Sequence, residues 1–161
     1  MACCTASTVY EELPQKMRDI ALPIIEPTAR EAARISKNGN IGVIATEATV
    51  AAGAFTKALS AFPNVKEVHE LPLQRLVALV ESGAVDGRIT SRERDELSTL
   101  IKPIKEYKID TLVLGCTHFP HLEREISGCL PGVRLVSSSR EGAREIIKQS
   151  NNKGKGKTVF L

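Results

Sequence analysis

Two short, uninterrupted apolar runs constrain this chain more than any other feature: residues 41–45 (IGVIA) and 111–114 (TLVL). Neither alternates apolar with polar, so neither reads as a strand with one wet face. Both are short and rich in β-branched side chains, the pattern of strands covered on both faces in a parallel sheet. Each runs into a turn bearing hydroxyl side chains. Further strands are expected at 65–70 and 133–136. Between them lie helical patterns. Leu73, Leu76, Val77 and Val80 share one face, with Gly83 as a stop. Thr90 and Glu93 are spaced as a capping box, ahead of Leu97, Leu100, Ile101 and Ile104, and Pro103 should kink or shorten that helix. Other helices are expected at 5–12, 15–21, 31–36, 47–60 and 141–149, with a turn at Asn38-Gly39-Asn40. Strands alternating with helices predict an α/β fold, a mainly parallel sheet flanked by helices.

Composition narrows the function classes. With 161 residues, 42% hydrophobic and 25% charged, the chain has the size and balance of one ordinary globular domain. No apolar run approaches the ~18–20 residues of a membrane helix, and no leader pattern opens the chain, so a cytoplasmic location is expected, without a membrane partner. The net charge is +3, but Lys148, Lys153, Lys155 and Lys157 more than account for it. Such a tail reads as solvated, and 4% aromatic content without Trp offers no stacking platform, so nucleic acid is not an expected partner. The tail is no phosphate loop either, because Asn151 stands where G-x-x-x-x-G-K-[ST] requires its first glycine. Residues 158–161 read as strand-like. The four cysteines, Cys3, Cys4, Cys116 and Cys129, form no C-x2-C pair, and His69, His118 and His121 form no ligand ladder. No metal is expected, and the thiols are free, for packing or for chemistry.

Three turns concentrate the chemistry. Cys3-Cys4-Thr5-Ala6-Ser7 places thiols and hydroxyls at the start of an expected helix. Gly115-Cys116-Thr117-His118 places a thiol, a hydroxyl and an imidazole after a strand, where open α/β sheets bind ligands. Thr46 and Thr49 follow the other apolar run, beside helix amides suited to a carboxylate. Taken singly, each has a plain structural reading: a buried cysteine, a threonine cap, a histidine bonded to backbone.

Together they resemble a known family. Residues 114–122 (LGCTHFPHL) closely resemble the second catalytic segment of glutamate racemases, in the aspartate/glutamate racemase superfamily, and Ala2-Cys3-Cys4-Thr5-Ala6-Ser7 resembles the first, A-C-N-T-A-S. Residues 41–50 (IGVIATEATV) resemble the strand-turn I-G-V-I-G-T-x-A-T-V, and Glu81-Ser82-Gly83, after Leu71-Pro72-Leu73, resembles P-L-V-E-x-G. The resemblance implies racemisation of glutamate without a cofactor, supplying D-glutamate for peptidoglycan. Cys3 and Cys116 would be opposed acid/base catalysts and His118 an assistant to Cys116. Thr5, Thr46, Thr49 and Thr117, with Cys4, would bind the substrate. Cys4 stands in place of the usual Asn, Ala45 in place of Gly, and Ser137 where Asp is usual. No counterpart of the F-D-S-G-x-G-G strand or the P-Y-G loop is present. The resemblance therefore implies a racemase shortened at both ends: residues 1–36 a remnant of one of two pseudo-symmetric domains, 37–131 a complete α/β domain, and 132–161 a return segment with a basic tail. A homodimer, an aspartate racemase, or an inactive fragment serving as a binding or dimerising module are compatible with it.

Overall fold

The computed structural model describes residues 1–85 and 88–149; the strand-like 158–161 and the basic tail lie outside the described residues. Four strands, β1 (Asn40–Ala45), β2 (Glu67–Pro72), β3 (Thr111–Gly115) and β4 (Arg134–Ser137), form one wholly parallel sheet in the order β2-β1-β3-β4. Helices cover both faces, as the uninterrupted apolar runs require. Alternate residues of β1 and β3 divide between two cores. Ile41, Val43, Ala45 and Val113 pack with α3 (Ile25–Ile35) and α5 (Ala54–Leu59), against which α9 (Ser138–Gln149) also lies. Ile44, Leu112 and Leu114 pack with α6 (Gln74–Glu81), α7 (Ser91–Ile101) and α8 (Glu123–Cys129).

Several boundaries depart from the sequence expectation for identifiable reasons. The helix expected over 47–60 is two: α4 (Glu47–Ala51) and α5, parted by Gly53 in the left-handed conformation (φ +59). Helix α3 begins at Ile25, six residues before the expected start, and absorbs Pro27 in its first turn, where amide protons have no intrahelical partner to lose. The 5–12 and 15–21 segments yield only α1 (Cys4–Ser7), a 3-10 turn at Tyr10–Glu12, and α2 (Gln15–Arg18). The Thr90–Glu93 capping box is complete, and Pro103 converts the end of that helix into a 3-10 stretch, Lys102–Tyr107.

The strand order sets the site. From β1 the chain passes through α4 and α5 on one face to reach β2. From β3 it passes through α8 on the other face to reach β4. The turns leaving β1 and β3, which are neighbouring strands, therefore diverge to opposite faces, the switch point beside whose carboxyl ends open α/β sheets bind their ligands.

Candidate active site

In the β1–β3 ladder Ala45 pairs with Gly115, so Thr46 and Cys116 are the next residues on adjacent strands at that switch point. Gly115 permits this close approach, because a Cβ there would sit 2.8 Å from the Phe55 ring and 2.9 Å from the Ile44 carbonyl oxygen. Helix α1 lies against α4 and brings the N-terminal segment to the same end of the sheet. Its Thr5 Oγ1 is 2.9 Å from Thr46 Oγ1 and 3.0 Å from Thr49 Oγ1, and the latter two are 2.9 Å apart. Three hydroxyls, one of them more than forty positions from the other two, thus close a triangle. Thr46 also caps α4, accepting from the Thr49 amide. Thr117, next after Cys116, is half-buried, and its hydroxyl makes no hydrogen bond to another described residue.

The thiols occupy three different environments. Cys3, the N-cap of α1, is exposed. Cys116 is buried at 7% exposure. Burial pushes its thiol pKa up, and the backbone amides of His118, Phe119 and Thr117, aimed at the sulfur, partly oppose the rise; a charge on Cys3 would raise it further. Cys4, expected as a substrate ligand, is 2% exposed within the α3-side core. Burial pushes its thiol up to about 12, against a lowering from the Ser138 hydroxyl, while Cys116 and Cys3 add to the rise. Cys4 is therefore a neutral packing group in this arrangement, although it lies within electrostatic reach of Cys116 and Cys3.

His118 follows Cys116 by two residues and opens the 3-10 turn Phe119–Leu122, in whose first turn Pro120 sits. Its Nδ1 lies 3.7 Å from Cys116 Sγ, and its Nε2 lies 3.5 Å from Glu81 Oε1 at the end of α6. A thiol, an imidazole and a carboxylate thus stand in line, an arrangement able to move a proton off sulfur and hold the resulting imidazolium. Glu81 is the member that residue-by-residue reading missed. It was visible only as part of a motif, since no local spacing rule links position 81 to position 118. Among the described residues no three His, Cys, Asp or Glu side chains cluster to hold a metal ion, and no helix is long and apolar enough to cross a membrane.

Known proteins resemble this chain in sequence and in fold. The glutamate racemase of Aquifex aeolicus is 40% identical over 157 residues, covering 97% of this chain and 59% of that protein. The crystal structure of a glutamate racemase isoform from Bacillus anthracis superposes with a TM-score of 0.77 at 32% identity, covering 91% of this chain and 55% of that one. Escherichia coli glutamate racemase, solved in complex with L-glutamate and the activator UDP-MurNAc-Ala, is 33% identical with a TM-score of 0.60, covering 73% of this chain and 44% of that one. The chain thus covers between about 44% and 59% of the length of these relatives. A model of the Asp/Glu/hydantoin racemases matches residues 1–146, a span that holds both cysteine turns and the threonine triangle between them, and the chain belongs to that family.

Proposed function

We propose that this chain carries the site of cofactor-independent glutamate racemisation, converting L-glutamate to D-glutamate in the cytoplasm for peptidoglycan. One observation carries the reading: Thr5, two residues after Cys3, hydrogen-bonds both threonines of the turn after β1, while Cys116 and His118 leave the neighbouring strand β3 within electrostatic reach of Cys3. Inverting an α-carbon requires a proton to leave one face and another to arrive on the opposite face, so two acid/base groups must flank the substrate. Cys3 and Cys116 take those roles, each serving as base in one direction and acid in the other. Both are expected to act as thiol in one half-reaction and thiolate in the next.

Cys116 starts as a thiol, since burial raises its pKa. His118 takes its proton, Glu81 steadies the imidazolium, and the converging amides of residues 117–119 stabilise the thiolate. The hydroxyls of Thr5, Thr46 and Thr49 turn their protons from one another toward the substrate carboxylates, with Thr117 as a fourth donor. Fixing the α-carboxylate matters most, because negative charge spreads into it as the α-proton departs. This division of labour places the first base on residues 1–36 and the second on 37–131, with 132–149 closing the sheet.

The test is loss of the α-proton signal of D-glutamate and, separately, of L-glutamate in D2O. Exchange from both enantiomers supports the two-cysteine site. Exchange from one alone leaves a single working base, and faster exchange from aspartate reassigns the substrate. A folded sample that exchanges nothing overturns the catalytic reading and leaves a racemase-like binding or dimerising module.

A further inference from the structure

Ser7 closes the first cysteine segment and takes no part in the chemistry above, yet it is buried at 6% exposure and bonded on both sides. Its hydroxyl donates to the Cys3 carbonyl oxygen at 2.9 Å and accepts from the Ile24 amide at 3.3 Å. The Ser7 amide donates to the same carbonyl at 3.0 Å. Ile24 is itself buried and is the residue from which α3 starts, and α3 packs along its length into the core. One hydroxyl therefore ties the backbone of Cys3 to the root of an eleven-residue helix.

The two thiols need such a tie unequally. Cys116 follows β3, a strand buried throughout and paired on both sides, so the sheet sets its backbone. Cys3 precedes a single helical turn, α1, makes no side-chain cap bond, and is exposed. One turn is not stable alone, because it fixes several dihedrals for one or two hydrogen bonds. Its other two holds do not reach Cys3 itself: Thr5 bonds the hydroxyls of Thr46 and Thr49, and Cys4 packs into the α3-side core. The Thr5 bonds are also the ones that give way when those hydroxyls turn to a substrate. Ser7 keeps its hold throughout, because both its partners are backbone groups.

We propose that Ser7 is a positioning residue for the first base: by fixing the Cys3 backbone to the start of α3, its hydroxyl sets where Cys3 Sγ stands relative to the substrate α-carbon. This rests on the catalytic reading of Cys3. A displacement of about 1 Å at a reacting group costs on the order of 10²-fold, so a lost tether shows in the rate before it shows in the fold.

The experiment measures α-proton exchange in D2O per folded molecule, with each enantiomer of glutamate, in Ser7→Ala, Ser7→Thr and Thr28→Val. Ser7→Ala should slow exchange by roughly 10–100-fold from the enantiomer that Cys3→Ala suppresses, and by less than about twofold from the other. Ser7→Thr keeps the hydroxyl, and the cleft of about 380 Å3 that Ser7 borders with Tyr10, Pro23 and Phe62 leaves space for the added methyl, so this variant should restore the lost exchange. Thr28→Val is the control for packing alone. It removes a buried hydroxyl that donates to the Ile24 carbonyl and leaves Cys3 untouched, so both rates should stay at wild-type values. In 15N relaxation, the amides of residues 3–5 should lose order in Ser7→Ala, and those of 115–118 should not. Equal slowing from both enantiomers, no slowing from either, or the same pattern in Thr28→Val would overturn the proposal. A wild-type chain that exchanges neither enantiomer overturns the catalytic reading, whereas unchanged order at residues 3–5 in Ser7→Ala overturns this one whatever the exchange.

Discussion

The two ends of the sheet are built on opposite principles. At the amino ends of the strands Asp110 is saturated. Its carboxylate accepts from Ser36 Oγ (2.7 Å), the amides of Lys37 (2.6 Å) and Asn38 (2.9 Å), and Thr111 Oγ1 (2.9 Å), and faces Arg134. Those contacts pin the end of α3 to the starts of β3 and β4 and leave the carboxylate no capacity for a ligand. At the carboxyl ends, three threonine hydroxyls have chiefly one another, and a buried thiol has a histidine at 3.7 Å. Polar groups at the first end hold the fold together. Those at the second end are held in place by the fold and kept available. Substitutions at the first should therefore cost stability, and those at the second should cost chemistry.

The largest effect is expected at the open end. Cys116→Ala and Cys3→Ala should each slow α-proton exchange by roughly 10²–10⁴-fold, the usual cost of losing a positioned acid/base group. On the proposed mechanism the two thiols serve opposite directions, so each variant should suppress exchange from a different enantiomer. Thermal melts should shift by no more than the equivalent of about 1 kcal/mol, since a single small side chain is removed in each case. A collapse in stability matching the loss of exchange would erase the distinction between the two ends.

Asp110→Asn tests the closed end. An amide places N–H groups where amide donors already converge, so a loss of about 2–3 kcal/mol is expected from denaturant titration. α-Proton exchange should persist in whatever fraction remains folded. The pH dependence supplies a second check. Burial pushes the Asp110 pKa up, but the hydrogen bonds from Asn38, Ser36, Lys37 and Thr111 outweigh it, and the net shift is downward from 3.8. A depressed folded value gives stability that is fully present above the unfolded pKa of about 3.9 and is lost as pH falls through the folded one. The gap in stability between wild type and Asp110→Asn should thus be constant above about pH 5 and narrow below pH 4. A gap that widens with acid would mean the sign is wrong.

How much of this was legible from the residues follows the same division. The apolar runs at 41–45 and 111–114 announced buried parallel strands, because a strand covered on both sides has no other way to be written. The capping box at Thr90 was legible because its two partners lie three residues apart. Cys116, Thr117, His118, Thr46 and Thr49 were legible as turn residues after strands, and Thr5 as part of a helix start. Long-range partnerships were not. Nothing in the spacing of Thr5 and Thr49, or of Glu81 and His118, says that they touch, because strand order decides it. Nor did the pairing of Cys3 with Cys4 show which thiol is exposed; α1 turns Cys4 into the core and leaves Cys3 outside. The early start of α3 was hidden by Pro27, which signals a break but is harmless in a first turn.

A smaller effect should separate positioning from catalysis within the open end. Glu81 reaches His118 Nε2 at 3.5 Å and is itself largely exposed. Glu81→Gln keeps the shape and removes the charge that steadies the imidazolium, so kcat should fall by about tenfold, or ~1.4 kcal/mol, with KM unchanged. Stability should not move, since exposed pairs of this kind contribute little. A rise in KM at constant kcat would assign Glu81 to substrate binding instead.

The smallest effect belongs to Ser36, and it is the most discriminating for the comparison because it sits farthest from any chemistry. Its hydroxyl donates to Asp110 Oδ1 at 2.7 Å and accepts from the Gly39 amide at 3.1 Å, so it links the end of α3 to the turn that starts β1. Ser36→Ala removes one of several donors to Asp110 and strands one amide beside solvent. The expected loss is about 1 kcal/mol, a melting shift of roughly 2–4 °C for a domain of this size. Exchange rates per folded molecule should equal those of the wild type at every pH, because the sheet transmits position, not charge, from one end to the other. Combined with Asp110→Asn, it should cost less than the sum of the two, since both act through the same hydrogen bond. Full additivity would show that Ser36 stabilises the Gly39 turn independently of Asp110, and would divide the closed end into two separate fastenings.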